Sequence, residues 1–364
     1  MAAYESAGLN FPRRKTRPVM VGDIQIGGEA PIVVQSMTDT DTRDVDATVD
    51  QIRRLQDVGC EVVRVAVPDQ DAASALVAIR EQVRIPLIAD IHFDHRLALA
   101  SLAAGVEGLR INPGNIGSRD RIVRVVKEAK NRGIPIRIGV NSGSLENDLL
   151  QRYGGATAEA MVESALRHIR ILEDLDYFTV KISLKASDIP RTVRAYRLLA
   201  DKVDYPFHAG ITEAGSLVSG SVKSAAGLTL LLAQGLVDTF RVSLTAPPEE
   251  EVRVAYLILS GLKIRQRGPE IISCPVCGRC EVDISRIAAE VEQRLAPLTA
   301  PLRVAIMGCM VNGPGEAKEA DIGLACGRGG AVLFKQGKIL KKVKEEKIVT
   351  VLVDEVMRLA RSHE

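Results

Sequence analysis

Residues 61–94, EVVRVAVPDQDAASALVAIREQVRIPLIADIHFD, contain the pattern from which the fold can be predicted. It begins with an apolar run rich in valine and continues after Pro68 into a longer amphipathic segment. A second apolar run follows from Pro86. A strand, a helix and another strand in this order predict a βα unit of a parallel sheet.

The same pattern repeats on both sides of this stretch, from about Pro31 to Gly261. The predicted strands are PIVVQSM from Pro31, EVVRVAV from Glu61, PLIADIH from Pro86, GLRIN from Gly108, PIRIGVN from Pro135, FTVKISLK from Phe178, PFHAGIT from Pro206 and TFRVSL from Thr239. Eight strand and helix pairs in about 230 residues predict an α/β fold, a (β/α)8 TIM barrel. An open doubly wound sheet is the alternative, which the absence of a GxGxxG turn after the first strand disfavours.

The repeat stops near Gln266, which predicts a barrel over residues 1–267 and a smaller α+β domain over residues 268–364. This second domain begins with a cysteine-rich stretch. Its predicted elements are a helix from about Asp283 to Leu295, the strand PLRVAIMG, a glycine-rich passage, a hairpin closed at Gln336 and Gly337, and a helix from about Glu345 to Arg361.

The composition excludes several classes of protein. With 46% hydrophobic and 26% charged residues, the chain is not intrinsically disordered. Its formal net charge of +2 is too small for a partner of nucleic acid, which selects clustered basic residues. No run approaches about 18 apolar residues, and the first residues lack the apolar segment of a signal peptide. We therefore expect a cytoplasmic protein with no membrane partner.

Cations stand inside five of the predicted strands. Arg64 lies among valines, and the alternation of side chains places the other cations on one face with a polar neighbour: Arg110 with Asn112, Arg137 with Asn141, Lys181 with Ser183 and Lys185, and Arg241 with Ser243. Each of these cations could lie at a solvated strand edge or belong to a partly buried ion pair. Cations that converge from five strands without matching acids instead predict an anionic ligand, a phosphate or diphosphate ester.

Other polar residues follow the strands, where the catalytic face of a barrel lies. Asp90 and His92 share a face at the end of the third strand, which is compatible with a helix cap and a core histidine or with a hydroxyl-binding pair. His208 and Thr212 have the same position on the seventh strand, and Glu213 begins the next loop.

Four of the six cysteines, Cys274, Cys277, Cys280 and Cys309, fall within 36 positions, and Glu316 follows seven residues after the last. In a reducing compartment this spacing points to metal or redox chemistry. Three sites remain open: a zinc knuckle, a four-cysteine iron–sulfur cluster, and a [4Fe–4S] cluster with three thiolates and one oxygen ligand. Cys60 is predicted to be a core thiol, and Cys326 a buried or incidental thiol.

Nine motifs carry a family resemblance over nearly the whole chain. They are QSMT at Gln35, VRVAVP at Val63, ADIHFD at Ala89, LRINPGNIG at Leu109, RIGVNSGSLE at Arg137, GITEAG at Gly210, RVSL at Arg241, CPVCGR at Cys274 and GCMVNGPGEA at Gly308. In this order they resemble the bacterial 4-hydroxy-3-methylbut-2-en-1-yl diphosphate synthase family.

The resemblance implies a reductive enzyme of isoprenoid precursor synthesis. Its substrate would be 2-C-methyl-D-erythritol 2,4-cyclodiphosphate, opened and dehydrated with two electrons from a [4Fe–4S] cluster. The family has a TIM barrel followed by a cluster domain of sulfite/nitrite reductase type. Ferredoxin or flavodoxin would donate the electrons. The family's members are homodimers in which the cluster domain of one chain faces the barrel of the other. A small domain attached near Gly268, opposite the mouth of its own barrel, also favours a site shared between two chains.

Carried over to this chain, the resemblance assigns roles to individual residues. The cluster ligands are Cys274, Cys277, Cys309 and Glu316, and Cys280 lies outside this set. The diphosphate-binding residues are Arg64, Arg110, Arg137, Lys185 and Arg241, with Asn112, Asn141 and Ser243 as polar neighbours. Asp90 and His92 would lie near the substrate's hydroxyl-bearing carbons, and Glu213 is a candidate proton donor.

Two other classes of function compete with this interpretation. One is a non-redox TIM-barrel lyase or transferase that acts on a phosphate ester and carries a structural zinc domain. The other is a sensor that binds a phosphate ligand without catalysis. Iron and sulfide analysis separates the first from a redox enzyme, and turnover with a chemical reductant separates the second.

Overall fold

A computed structural model describes residues 11–309, 315 and 319–362 of the chain. The chain divides into two compact units, one ending at Arg265 and the other beginning at Gln266. Each unit has its own hydrophobic core.

The first unit is built on parallel strands that alternate with helices. Its strands after an N-terminal hairpin are β3 (Val33–Met37), β4 (Val62–Ala66), β5 (Leu87–Asp90), β6 (Gly108–Arg110), β7 (Ile136–Asn141), β8 (Val180–Lys185), β9 (His208–Ala209) and β10 (Thr239–Phe240). These eight strands of residues 11–265 correspond to the eight predicted ones. They follow the order β8-β7-β6-β5-β4-β3-β10-β9, and a single parallel bridge from Ile182 to Phe207 joins the two ends. The TIM-barrel prediction is confirmed.

Helices surround the barrel and cover the outward faces of its strands. They are α1 (Val45–Asp57), α2 (Gln70–Gln82), α3 (His95–Ala103), α4 (Arg119–Arg132), α5 (Asn147–Tyr153), α6 (Ala158–Glu173), α7 (Ile189–Ala200), α8 (Leu217–Leu232) and α9 (Pro248–Gly261). Their sequences explain their limits. In α1, for example, the Asp44 side chain caps the first turn by accepting from Ala47 N, and Val49, Ile52 and Leu55 form its buried stripe.

An N-terminal hairpin, not predicted from the sequence, precedes the barrel. It consists of β1 (Val19–Val21) and β2 (Ile24–Ile26), paired antiparallel. Its side chains Val21 and Ile26 pack with Val33, Val62 and Ile88, at the N-terminal ends of the barrel strands. The hairpin therefore fills that end of the barrel with apolar side chains.

The second unit contains a mixed sheet and two helices among its described residues. Its elements are β11 (Glu270–Ser273), α10 (Ile284–Leu295), β12 (Arg303–Met307), β13 (Ile322–Gly327), β14 (Gly330–Lys335), β15 (Lys338–Lys344) and α11 (Ile348–Arg361). The strands lie in the order β11-β12-β13-β14-β15, with the first three parallel and the last two antiparallel. Ile287 and Val291 of α10 pack with Leu352 and Val356 of α11 in one apolar core.

The predicted elements of this unit are present, with additions. Strands β11 and β13 were not predicted from the sequence. The predicted hairpin is β14–β15, and the last helix begins at Ile348, after a 3₁₀ turn over Glu345–Lys347. The missed β13 lies in the glycine-rich passage, where Gly323 packs against Ala305 of the neighbouring strand and leaves no room for a Cβ.

Candidate active site

The cations predicted from the strands lie together inside the barrel. We call this set the cation cluster; its members are Arg64 on β4, Arg110 on β6, Arg137 on β7, Lys181 and Lys185 on β8, and Arg241 after β10. Arg137 is only 1% exposed, and Lys181 is fully buried. In most TIM barrels this interior is filled by branched apolar side chains. A polar interior of this kind therefore needs a chemical reason.

Asp90 is the first carboxylate among these cations. Its Oδ1 lies 3.2 Å from Arg110 Nη1, and its Oδ2 lies 3.4 Å from Arg64 Nε. Burial acts to raise the pKa of Asp90, but the charges of Arg64, Arg110 and Arg137 outweigh it and hold the pKa below its ordinary value. Asp90 is therefore an ionised counter-charge at the barrel mouth.

Glu251 is the second carboxylate, and it was not predicted from the sequence. It lies in the first turn of α9 and is 2% exposed. Arg241 donates to it through Nε at 2.7 Å and through Nη2 at 2.8 Å. The premise that the cations have no matching acids was therefore wrong: Asp90 and Glu251 neutralise part of the cluster.

The cation cluster nevertheless contains more basic groups than carboxylates. In residues 11–265 its six cations face these two carboxylates. The Arg110 Nε, the Arg137 Nε and Nη1, and the Lys181 Nζ are buried without a hydrogen-bond partner. Burial, followed by the neighbouring cations, lowers the pKa values of Arg137, Lys181 and Lys185 well below their ordinary values. Such groups are costly unless an anion satisfies them.

Two glycines shape the space around these cations. A Cβ on Gly139 would overlap Arg110 Nε and lie 2.9 Å from its Nη2, so the guanidinium lies flat against β7. A Cβ on Gly210 would lie 2.9 Å from Lys185 Nζ and 2.7 Å from the carbonyl oxygen of Arg241. Both positions therefore require glycine for close packing, which the sequence alone did not indicate.

Asn112 joins the two strands that carry Arg110 and Arg137. Its Nδ2 donates to the Gly139 carbonyl at 3.0 Å, and its Oδ1 accepts from the Gly139 N–H at 2.9 Å. Both polar atoms of the amide are thus engaged by one backbone unit. In this structure Asn112 fixes the register of β6 and β7 beside the cluster.

The remaining predicted residues surround the mouth. His92 is half exposed, and Arg110 Nη1 lies 3.1 Å from its Nδ1; burial lowers the pKa of His92. Asn141 ends β7, and Ser243 is half buried after β10. Glu213 is exposed and has a φ of 52°, a left-handed conformation that is uncommon outside glycine.

His208 lies deeper, on β9. It is fully buried, and its Nε2 lies 3.4 Å from Lys185 Nζ. Burial, followed by Arg137, Lys185 and Lys181, lowers the pKa of His208 well below its ordinary value. The imidazole is therefore neutral and is a partner for the lysine rather than a further cation.

Loops after β6 and β7 are tied together by a hydrogen-bonded chain at the mouth. The Gly114 N–H donates to His168 Nδ1 at 3.2 Å, and His168 Nε2 lies 3.4 Å from Glu146 Oε1. Because Nδ1 accepts, the proton is on Nε2 and faces the carboxylate. The hydrogen bond from His168 lowers the pKa of Glu146 to about 2.

The cysteines of the second unit follow the ends of parallel strands. Cys274 follows β11, Cys309 lies two residues after β12, and the register pairs Ser273 with Ile306. The Gly308 N–H donates to Cys274 Sγ at 3.1 Å. Cys277 is exposed, whereas Cys274 and Cys309 are half buried. Three thiols in two adjacent loops have the soft donor chemistry that an iron–sulfur cluster needs.

The fourth predicted ligand, Glu316, lies outside the described residues. Among those that the structure describes, no three histidine, cysteine, aspartate or glutamate side chains are close enough to hold a metal ion. Cys280 also borders the site, and its Sγ lies 2.6 Å from the position that a Cβ on Gly308 would take. Burial raises the pKa values of Cys60 and Cys326 to about 12, which disfavours thiolates there.

The helices of the described residues contain none that is long and apolar enough to cross a membrane.

Comparison with known proteins identifies the family. The chain matches the GcpE TIM-barrel domain over residues 16–256 and the GcpE protein C-terminal domain over residues 270–358. A protein of Geobacter sulfurreducens named 4-hydroxy-3-methylbut-2-en-1-yl diphosphate synthase (flavodoxin) is 58% identical over 96% of this chain and 100% of its own length. A relative of the same name from Lawsonia intracellularis is 56% identical over 95% of this chain and 97% of its own.

Solved structures give a looser match. The dihydropteroate synthase of Yersinia pestis aligns with 68% of this chain and 98% of its own at 12% identity, with a TM-score of 0.48. That overlap is too loose to bear on function. The resemblance found in the sequence motifs is confirmed by the two domain matches and by the relatives at high identity. The chain belongs to the GcpE family.

Proposed function

We propose that this protein is a 4-hydroxy-3-methylbut-2-en-1-yl diphosphate synthase. It converts 2-C-methyl-D-erythritol 2,4-cyclodiphosphate into (E)-4-hydroxy-3-methylbut-2-enyl diphosphate by reductive ring opening and loss of water. The observation that carries this proposal is the buried excess of cations in the barrel, at the catalytic face of a chain 58% identical to a relative of that name.

The barrel unit binds the substrate. A cyclic diphosphate carries about two negative charges, and the unsatisfied N–H groups of Arg110 and Arg137 suit its oxygens. Lys185 and Arg241 complete the diphosphate site from the other side, with Asn141 and Ser243 at its edge. Binding the anion would relieve the cost of the buried cations, which gives substrate recognition its driving force.

The same cations assist the reaction. When the ring opens, a diphosphate oxygen leaves carbon and gains negative charge. Preorganised guanidinium groups stabilise such charge without further reorganisation. Asp90 holds Arg64 and Arg110 in place, and it lies with His92 where hydroxyl groups of the substrate would be oriented. Glu213, exposed at the mouth, is the candidate that delivers the proton with which the lost hydroxyl group leaves as water.

The second unit holds a [4Fe–4S] cluster through Cys274, Cys277, Cys309 and Glu316. When bound, the cluster would supply two electrons one at a time, and the carboxylate of Glu316 would be exchanged for another ligand more easily than a thiolate. We also propose that this unit is structurally related to the domains of sulfite and nitrite reductases. Flavodoxin is the electron donor that the names of the relatives favour. The proposed compartment is the reducing cytoplasm, which suits thiolate ligands.

The active form is a homodimer with a site shared between two chains. An apolar stripe on α8 supports it: Val218, Val222 and Leu230 are 76%, 67% and 48% exposed. Leu257 on the adjoining α9 is 69% exposed. Exposed apolar side chains at helical spacing are typical of a self-complementary interface about a two-fold axis.

Mixing Cys309→Ser with Arg110→Ala protein under subunit exchange should restore part of the activity. Verified mixed dimers without activity would exclude a shared site.

Anaerobic purification and reconstitution test the function directly. Iron and sulfide analysis should give a [4Fe–4S] cluster, and the reduced protein should convert the cyclic diphosphate to the allylic diphosphate. Stoichiometric zinc without sulfide would instead support the non-redox lyase or transferase. A loaded, reduced protein that binds the cyclic diphosphate without turnover would support the sensor.

A further inference from the structure

We propose that Glu251 is a positioning residue that fixes the guanidinium of Arg241 for diphosphate recognition. This inference rests on the proposed diphosphate site and adds a residue to it. Glu251 belongs to the run Glu249, Glu250, Glu251, which opens α9. Such a run is ordinary at a helix N-terminus, where it faces the positive end of the helix dipole.

The three glutamates nevertheless have different surroundings. Glu249 forms an ion pair with Arg54, and Glu250 forms one with Arg253; both of these arginines are exposed. Glu251 turns into the barrel and is buried. A carboxylate is costly to bury, so its place among the cations must be held by specific contacts.

Each carboxylate oxygen of Glu251 accepts two hydrogen bonds. Its Oε2 accepts from Arg241 Nε at 2.7 Å and from Ser36 Oγ at 2.9 Å. Its Oε1 accepts from Arg241 Nη2 at 2.8 Å and from the Leu244 N–H at 3.1 Å. Ser36 belongs to β3 and Leu244 to the loop after β10, so the carboxylate is fixed by two elements besides the arginine.

The paired geometry leaves one edge of Arg241 for a ligand. A guanidinium that grips a carboxylate through Nε and Nη2 keeps its Nη1 edge free for another anion. Within residues 11–265, the hydrogen-bond contact of Nη1 is with the thioether of Met37, at 3.5 Å. The same sulfur accepts from Arg64 at 2.9 and 3.1 Å, so a neutral group separates the two guanidiniums. Glu251 therefore determines which edge of Arg241 meets a diphosphate.

The positioning role and simple electrostatics predict opposite effects of Glu251→Gln on diphosphate affinity. If Glu251 only diluted the positive charge, Glu251→Gln would tighten diphosphate binding, because it removes a negative charge near an anion site. If Glu251 positions Arg241, the same change leaves the guanidinium without its bidentate partner and weakens binding. Glu251→Asp separates the two further, since it keeps the charge and shortens the reach.

The test is calorimetric titration of the full chain with inorganic diphosphate. We expect binding at least about tenfold weaker for both Glu251→Gln and Glu251→Asp. Glu249→Gln, which removes a carboxylate from the same helical turn, should bind as the wild type does. Thermal unfolding of each variant reports whether the barrel is intact.

A double-mutant cycle keeps the inference testable if the single variants are poorly folded. In an Arg241→Ala background there is no guanidinium to position, so Glu251→Gln should tighten binding rather than weaken it. Tighter binding by Glu251→Gln in the wild-type background, with Glu251→Asp unchanged, would overturn the positioning role and leave the diphosphate site standing. Failure of the wild type to bind inorganic diphosphate would overturn both.

Discussion

The two units prepare their chemistry in opposite ways. In the barrel, charged side chains project from strands and are held by one another, as Asp90 holds Arg64 and Arg110. In the second unit, Cys274 and Cys277 lie in the loop after a strand, and Cys277 is exposed. The barrel site is thus built by the protein alone, whereas the cluster site that we propose in the second unit would be completed by its metal.

This difference determines which interactions stabilise each site. Burial of the cations in the barrel is unfavourable and is offset by the hydrophobic core, and a bound diphosphate would remove part of this penalty. Ligand binding to the folded state should therefore raise the stability of the barrel. In the second unit, the proposed cluster would itself supply the binding energy that joins its ligands.

Substitution of one proposed cluster ligand should cause the largest loss of activity and leave the barrel site intact. Cys309→Ser should abolish the cluster and all turnover, because a hydroxyl replaces a soft thiolate ligand. Inorganic diphosphate should still bind to the barrel with unchanged affinity. Iron and sulfide content and calorimetry measure the two effects separately.

Cys280→Ser is the matched control for that change. It alters a thiol in the same loops and should retain a full cluster. If Cys280→Ser abolishes the cluster while Glu316→Ala leaves the cluster and activity intact, the four-cysteine site is correct.

The reverse experiment breaks the barrel site and spares the cluster. Arg110→Ala removes a buried guanidinium and should weaken binding of the cyclic diphosphate by about 2 to 5 kcal/mol. The iron content should not change. Arg194→Ala, which removes an exposed arginine paired with Glu159, is the control. Normal affinity in Arg110→Ala protein would remove the argument for an anion site.

A smaller change tests whether the guanidinium of Arg110 is preorganised in the barrel site. Gly139→Ala places a methyl group where Arg110 now lies against β7, so the guanidinium must shift. We expect a loss of about 1 to 3 kcal/mol in binding of the cyclic diphosphate, with the strand retained. Gly143→Ala, at a position with no neighbouring atom within 4 Å of the added Cβ, should have no effect. Equal affinities for the two variants would mean that the position of Arg110 is not critical.

The smallest expected effect concerns the loops at the barrel mouth. The pKa of Glu146 is lowered to about 2, chiefly by its hydrogen bond with His168. A lowered pKa stabilises the folded state above the unfolded pKa of about 4.5, and this contribution disappears as the pH falls toward about 2. Wild type should exceed Glu146→Gln by about 1 kcal/mol in free energy of unfolding near neutral pH.

Urea unfolding at several pH values measures that difference. It should shrink steadily below about pH 4.5, as the carboxylate is protonated in the unfolded chain first. A difference that stays constant down to about pH 2 would contradict a role for the ionised carboxylate.

The barrel could be predicted from the sequence because its signal is repeated and local. Each strand, such as Val62–Ala66, is a short apolar run, and the helix after it has its own apolar stripe and cap. The hairpin of residues 19–26 was missed because its two strands have only three residues each, too few for a periodic pattern.

The partners of the cations could not be predicted, because they come from distant parts of the chain. Glu251 resembles a solvated residue of a helix N-terminus, and only the fold turns it toward Arg241. Likewise, Gly139 and Gly210 resemble ordinary strand and loop glycines until the neighbouring side chains are seen. Strand alternation did identify the cations themselves, since a charged side chain on the inner face of a barrel is costly unless it binds a counter-charge.

The hairpin that fills the N-terminal end of the barrel has a kinetic consequence. With Val21 and Ile26 packed against Val33 and Val62, ligands enter and leave by the opposite end. At the proposed diphosphate site, substrate and product would then share one entrance and the same arginines. Accumulated product would compete with substrate, and wherever both exceed their dissociation constants the flux would follow the ratio of the two metabolites.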